Sequence, residues 1–382
     1  MQLCIDRSSS TPLVDQVVDA LRAHIQTLGL RPEERMPSIR QLAVDADISR
    51  NTVIEAYDQL VALGLLRSRL GSGFYVTERA PRFFSGQGSS NPKLASDVTS
   101  QMWDLFNSEN TNLKLGCGWL PESWRETDDL SYAIRQVTRM SRSGLLDYST
   151  PLGAVTLRRL VQRRLHAFDI QADPNQILLT TGASHALDLL VRYLTRPGDT
   201  VFVESPGYYN LFGLLKLQGV NMVGVPRTLQ GPDMDALERL LQTHRPKLFF
   251  INSVLQNPTG TTLTPGVAHR VLQLAERYDF TVVEDDIYAD FQAEPTLRLA
   301  ALDGLRRVIY LSSYSKSLSC SLRVGFIAGD SPLIKGLVDV KMLTSIASSR
   351  FAEQVVALML ENGSYRKLVE RLRQKMTRQM AG

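Results

Sequence analysis

From about residue 145 onward, short apolar runs alternate with helix-patterned segments, and that alternation leaves few architectures open. The runs are QILLTT, TVFVESP, NMVGVP, KLFFINSV, FTVVEDD, RVIYLSS and RVGFIAGD. Most are apolar almost throughout, the pattern of strands covered on both faces. ASHALDLLVRYL, DMDALERLLQTH and PGVAHRVLQLAERY lie between many of them and repeat apolar residues at helical spacing. The expected fold class is α/β, with a mostly parallel, seven-stranded sheet. Ligands of such sheets bind beyond the carboxyl ends of the strands, so the chemistry is sought there.

The first 77 residues carry a different pattern. PLVDQVVDALRAHIQTL places Leu13, Val17, Val18, Leu21, Ile25 and Leu28 on one helix face. Pro37-Ser38 opens a short helix, IRQLAVDA, with Ser38 as its N-cap. Ser49 caps the next helix, RNTVIEAYDQLVALG, which Gly64 ends. LLRSRLGSGFYV reads as two short strands around Gly71 and Gly73. Helix, tight turn, helix and hairpin together suit a DNA reader. Arg50, Asn51 and Thr52, next to Ser49, would enter a major groove, and Arg40 would meet the backbone. The Gly71 wing would bring Arg69 towards the minor groove. Charge argues the other way: residues 1–80 hold nine arginines, no lysine and ten acids, whereas DNA readers carry a basic surplus. A small helical packing domain with ordinary surface arginines is the competing reading.

Residues 78–110 are rich in Ser, Gly, Pro and Asn without periodicity and read as a flexible linker. The expected organisation is therefore 1–77, a DNA-binding domain; 78–110, a linker; 111–362, a large α/β domain; and 363–382, the start of a further small domain. A hydrophobic share of 43% and a charged share of 21% belong to a folded protein. The sequence shows neither a membrane-length apolar run nor a signal peptide. Cys4, Cys117 and Cys320 are scattered, which fits reduced thiols in a cytoplasm and gives no support to disulfides or metal.

Four polar stretches follow the strand candidates: TTGASH, QNPTG, EDDIY and SYSKS. Singly, each is an ordinary turn or surface feature. On successive strand ends of one sheet they make a site for pyridoxal phosphate. A lysine amine among hydroxyls, Lys316, can form a Schiff base with the coenzyme. Asp285 suits the ring nitrogen, and Asn257 with Tyr288 the phenolate oxygen. Tyr208 suits the ring face. Ser313, Ser315 and Arg323, with the helix-opening N–H groups of Ala183 and Ser184, suit the phosphate. Most of the serines around Lys316 are thereby read as a phosphate nest.

In order along the chain, LDYSTPLGAVTLRRLVQRRL, TTGASHAL, ESPGYYN, NPTG, EDDIY and SYSKSLSCSLRVG resemble the fold-type I aminotransferases of class I/II, over residues 110 to 382. The resemblance implies the same roles for Lys316, Asp285 and Asn257. It also implies that Tyr148 reaches the phosphate of a neighbouring subunit, hence a homodimer. Ala183 stands where relatives often have serine, and Ser184 where they have glutamine. PSIRQLAVDADISRNTVIEAYDQLVALGLLRSRLGSGFYV resembles the GntR winged helix-turn-helix, with Ile54 where some relatives have arginine; that isoleucine reads as packing. The two modules together resemble the MocR subfamily, which implies double-stranded operator DNA as partner and pyridoxal phosphate or a small amino compound as effector. The final RQKMTRQMAG lies in a basic helix where the family continues into a small domain that supplies a carboxylate-binding arginine. Weak or vestigial transamination is the expectation, and a working aminotransferase is the alternative.

Overall fold

The structure, a computed structural model, describes residues 11–27, 33–62, 65–69, 72–77, 118, 120–125, 127–140, 143–292 and 296–380. The expected linker at 78–110, and Leu28, Gly64, Gly71, Cys4 and Cys117, lie outside the described residues. The chain divides into two compact units, Met1–Pro92 and Lys93–Gly382.

In the first unit, α1 (Leu13–Thr27), α2 (Ile39–Asp45) and α3 (Arg50–Ala62) precede an antiparallel hairpin of β1 (Leu66–Arg69) and β2 (Gly73–Val76). Ser38 Oγ accepts the Gln41 N–H at 3.2 Å, and Ser49 Oγ accepts the Thr52 N–H at 3.1 Å. Both expected N-caps therefore form, and each satisfies a donor that the first helical turn leaves free. Val17, Leu21, Leu42, Val53, Ala56, Tyr57 and Leu60 make the core. The Tyr57 hydroxyl donates to the Pro37 carbonyl at 2.7 Å, which ties α3 to the entry of α2.

The second unit is a sheet in the order β3-β10-β9-β8-β7-β4-β5-β6. These strands are β3 (Ile177–Thr180), β4 (Thr200–Ser205), β5 (Asn221–Thr228), β6 (Gly231–Pro232), β7 (Pro246–Asn252), β8 (Thr281–Asp285), β9 (Val308–Ser313) and β10 (Gly325–Ala328). Eight strands replace the expected seven because two residues, Gly231 and Pro232, fold back antiparallel on Arg227 and Thr228. A strand that short has no periodicity to read. The run β9-β8-β7-β4-β5 is parallel, and β10 runs against both β9 and β3.

Side-chain alternation divides the core between the sheet's two faces. Phe202, Phe249, Val282 and Tyr310 pack on one side, under helices Val155–His166, Pro265–Tyr278 and Arg350–Glu361. Val201, Val203, Phe250 and Val283 pack on the other, under helices Gly182–Leu194 and Ser331–Ser345. Helix Ser364–Met380 buries Tyr365, Leu368, Val369 and Leu372 in the first of these cores.

Because β10 is reversed, its start lies beside the ends of β9 and β3: Gly325 pairs with Ser313 and with Thr180. A Cβ at Gly325 would stand 2.8 Å from the Gly182 carbonyl carbon, so only glycine lets these loops approach so closely.

The turn before helix Val155–His166 is set equally tightly. Leu179 N–H donates to Leu152 O at 2.9 Å, and Gly153 has φ +95°. A Cβ on Gly153 would lie 2.5 Å from the Leu179 side chain. Gly153→Ala is expected to destabilise this unit by roughly 2–4 kcal/mol, from the positive φ plus overpacking, as read from its urea unfolding midpoint.

Candidate functional site

The carboxyl ends of β3, β4, β7, β8 and β9 and the start of β10 share one edge, and the expected site residues gather there. Lys316 follows β9, and its ammonium faces residue 118: a Cβ at Gly118 would stand 3.2 Å from Lys316 Nζ and 2.9 Å from the Tyr288 hydroxyl. Tyr208, Asn257 and Asp285 line one cavity at the ends of β4, β7 and β8, together with Asn252, Gln256 and Glu204.

Asp285 accepts the Ile287 N–H at 3.2 Å. Burial pushes its carboxyl up to about 7, with the negative neighbours Asp286 and Glu204 adding and Lys316 opposing. The Tyr288 hydroxyl is pushed up to about 12, first by burial and then by Asp285, so it stays a hydrogen-bond donor at neutral pH. Tyr208 is raised mainly by burial, and its hydroxyl accepts from Asn210 Nδ2 at 2.8 Å.

A second group faces the start of helix Gly182–Leu194, where Ala183 and Ser184 lie in the first turn. Arg323 Nη1 donates to Ser315 Oγ at 3.2 Å, and Ser313 Oγ accepts the Ser315 N–H at 3.1 Å. Gly182 has φ +76°, and a Cβ there would stand 2.4 Å from Arg323 Nη2. Bare backbone therefore lets a guanidinium meet a helix N-terminus, two features that both attract an anion.

The expectation of a general serine nest needs correction. Ser313, Ser315 and Arg323 form the cluster, but Ser312 Oγ donates to Asp286 O at 2.9 Å and Ser317 Oγ lies 2.8 Å from Asp290 Oδ2. Both are bonded to acids or carbonyls of the frame beneath the loop; Ser313 is likewise buried, with its Oγ 3.1 Å from the Val324 carbonyl, and joins the cluster through Ser315. Tyr148 lies in the loop before helix Val155–His166 and is 76% exposed. Asn252, Glu204, Arg227 and Gly118 were not singled out from the sequence. A polar residue closing the apolar run KLFFIN was the available signal for Asn252.

In the first unit, Arg40, Ser49, Arg50 and Asn51 are exposed and Thr52 is half-buried. Ser49 and Thr52 are engaged with each other, 2.8 Å apart through their hydroxyls. Ile54 is not packing: the buried stripe of α3 is Val53, Ala56, Tyr57 and Leu60, and Ile54 falls off it at 40% exposure. Arg69 and Arg67 both pair with Glu33, and Arg69 lies 4.6 Å over the Tyr75 ring. The wing arginine is thus already held by an acid of its own unit.

Residues 110–381 match the sequence profile of aminotransferase class I and II, which covers well over half of the chain. The chain belongs to the class I and II aminotransferase family. Residues 13–76 match bacterial regulatory proteins of the gntR family, so this aminotransferase-family chain also carries a DNA-binding domain. The probable rhizopine catabolism regulatory protein MocR of Rhizobium meliloti is 29% identical over 380 residues, which cover 97% of this chain and 76% of that protein. The HTH-type transcriptional regulator NorG of Staphylococcus aureus is 26% identical over 345 residues, covering 89% and 78%.

Among solved structures, the α-aminoadipate aminotransferase LysN of Thermus thermophilus, complexed with N-(5'-phosphopyridoxyl)-L-leucine, superposes with a TM-score of 0.64 at 30% identity. That match covers 68% of this chain and 67% of the other. Pyrococcus horikoshii kynurenine aminotransferase gives a TM-score of 0.67 at 26% identity over 77% of this chain and 73% of its own. Family and fold indicate pyridoxal phosphate. The residues present fit it: an amine, a buried acid, phenol and amide donors and an arginine-bearing anion cradle open on one strand edge. Among the described residues no group of His, Cys, Asp and Glu is arranged to hold a metal, and no helix is long and apolar enough to cross a membrane.

Two outcomes follow from these electrostatics. The Asp285 carboxyl is raised from 3.8 to about 7, so in the coenzyme-free protein it favours the folded state below about pH 4 and progressively loses that contribution as pH rises through 7. Asp285→Asn removes this dependence and should stabilise the coenzyme-free protein at pH 8 by about 2 kcal/mol, a value reduced for partial water access, in thermal or urea unfolding across pH 5–8. Glu33→Gln frees Arg67 and Arg69, so DNA affinity should rise and its logarithmic salt dependence steepen by about one to two, measured by fluorescence anisotropy at several salt concentrations.

Proposed function

We propose that the chain is a pyridoxal-phosphate-dependent transcription regulator of MocR type, whose GntR domain binds operator DNA and whose aminotransferase-like domain senses the coenzyme or an amino compound. One observation carries the reading: a single chain joins a helix-turn-helix with Arg50 and Asn51 exposed at the start of α3 to an edge site where Lys316 stands beside Tyr288. Arg40, Ser49, Arg50, Asn51, Thr52, Arg69 and Gly71 are assigned to DNA. Their number is small and their unit is not basic, which points to specific contacts more than to a strong general field.

In the sensing domain Lys316 is assigned the covalent attachment, Asp285 the ring nitrogen, Asn257 and Tyr288 the ring oxygen, and Tyr208 the ring face. Arg323, Ser315, Ser313 and the N–H groups of Ala183 and Ser184 are assigned the phosphate. Bound there, pyridoxal phosphate supplies an electron-withdrawing ring conjugated to a nitrogen. The protein's part is electrostatic. Asp285 would hold the ring nitrogen: a cation there would lower its raised pKa again, so the carboxylate would keep that nitrogen protonated. Tyr288 donates from a hydroxyl that burial keeps protonated. Whether the Lys316 amine is free or engaged is the local difference between ligand states. It moves the DNA-binding heads only as far as ligand affinity differs between their arrangements.

A homodimer is part of the proposal, with Tyr148 reaching the partner's phosphate. Tyr148 is strongly exposed, as are the apolar Met140, Leu145, Leu146 and Val155 near it in the chain, the composition of a surface that is covered in an assembly. The cytoplasm, where DNA is available, is the proposed location. A second reading, a working class I/II aminotransferase, draws on the solved aminotransferases of the same fold. Steady amino-group transfer to an oxo acid would favour that reading.

Lys316→Ala is expected to abolish the visible absorption band of the coenzyme-loaded protein. It should also abolish the effect of coenzyme and amino compounds on binding to a DNA fragment selected from a random-sequence library, an effect expected to be about fivefold or more in the wild type. Identical wild-type DNA binding with and without these ligands would remove the regulatory reading.

A further inference from the structure

Asn252 belongs to none of the groups assigned above, yet it is bonded to two of them. It closes β7 directly opposite Asp285 in β8. Its Nδ2 donates to the Asp285 backbone carbonyl at 2.6 Å, and its Oδ1 accepts the Asn257 N–H at 2.8 Å. Those two partners fix the amide's orientation, because a carbonyl requires the nitrogen and an N–H requires the oxygen. Rotating the amide by half a turn would break both bonds.

The backbone of Asn252 is held as firmly. Its N–H donates to Glu204 Oε2 at 2.9 Å, and its carbonyl accepts from Arg227 Nη1 at 3.1 Å. Glu204 and Arg227 form an ion pair with both side chains almost wholly out of water. Arg227 also donates to Thr261, at 3.1 Å to Oγ1 and 3.2 Å to the carbonyl. Thr261 lies beyond the QNPTG turn, and its carbonyl accepts the Gln256 N–H at 2.8 Å. One guanidinium therefore grips the stems on both sides of the loop that presents Asn257. A neutral amide at 252 suits this place. A carboxylate there would set lone pairs against the Asp285 carbonyl and add charge beside buried Glu204.

We propose that Asn252 is a positioning residue that joins Asn257 and Asp285 into one rigid unit, with the buried Glu204–Arg227 pair as its base. The groups assigned to the ring oxygen and the ring nitrogen then stand at a set separation before any ligand arrives, which is the condition for electrostatic preorganisation. The inference rests on the pyridoxal-phosphate reading of the site.

The test uses the full chain loaded with pyridoxal phosphate and follows the visible band through a pH titration, with the coenzyme Kd measured alongside. Wild type is compared with Asn252→Ala, which removes both side-chain bonds without adding charge, and Asn252→Asp, which keeps an acceptor for Asn257 but replaces the donor to Asp285 with a charged acceptor. Donors at the ring oxygen and a cationic ring nitrogen favour loss of the proton from the lysine linkage, so misplacing them makes that proton harder to remove. Both variants should keep the band, with its midpoint raised by about one pH unit and the Kd raised about tenfold. Midpoints and Kd equal to wild type in both variants, even with stability reduced, would reduce Asn252 to a loop brace and overturn the proposal. A wild type without the band would overturn the coenzyme reading and this proposal together, a different result from that one.

Discussion

Glu204, Glu284, Asp285 and Asp286 crowd the carboxyl ends of β4 and β8, and the way each is compensated shapes the rest of this domain. Glu204 is paired with Arg227, and Asp286 with Arg298 at 2.9 Å and the Tyr310 hydroxyl at 2.8 Å. Glu284 accepts the N–H groups of Leu299 and Ala300 at the start of a short helix. A buried carboxylate stripped of its partner costs several kcal/mol, so these bonds oblige β5, the 296–299 segment and β9 to sit where they do. Asp285 has the slightest compensation, one backbone N–H at 3.2 Å, and opens on the cavity. Of the four, Glu204 and Asp286 are paired with arginines, whereas burial holds the carboxyls of Glu284 and Asp285 up at about 7.

The lysine loop shows the same division of labour. Of its serines, Ser315 accepts from Arg323 and Ser313 bonds Ser315 and the Val324 carbonyl, while Ser312 and Ser317 are spent on Asp286 and Asp290. Asp290 is in turn paired with Arg164 at 2.8 Å and bonded to the Tyr365 hydroxyl, and its carbonyl accepts from Arg373 at 2.7 Å. The residue after Lys316 is thereby connected through a buried polar network to helix Ser364–Met380. Buried networks of this kind restrict the segments they join, here the loop after Lys316 and helix Ser364–Met380.

In the DNA-binding unit, the arginines of the wing are shared between structure and surface. Glu33 holds Arg67 and Arg69 while Arg50 and Asn51 stay exposed at the start of α3. The slight negative balance of residues 1–80 therefore has a local expression: one acid, Glu33, holds both arginines of β1.

The sequence by itself determined the two-part organisation, the strand-helix alternation and the N-caps at Ser38 and Ser49, because these depend on periodicity and on bonds between residues a few positions apart. It also named Lys316, Asp285, Asn257, Tyr288 and Arg323, because strand ends are local signals and open sheets gather their ligands at that edge. Only the tertiary structure decided that β10 runs backwards, that Gly231–Pro232 adds an eighth strand, and which serines face the arginine. It alone brought Asn252 to Asp285, across 33 residues, and Arg227 to Glu204, Asn252 and Thr261. Such contacts link residues whose types look ordinary in their own segments, and no spacing along the chain encodes which buried charge will find which partner.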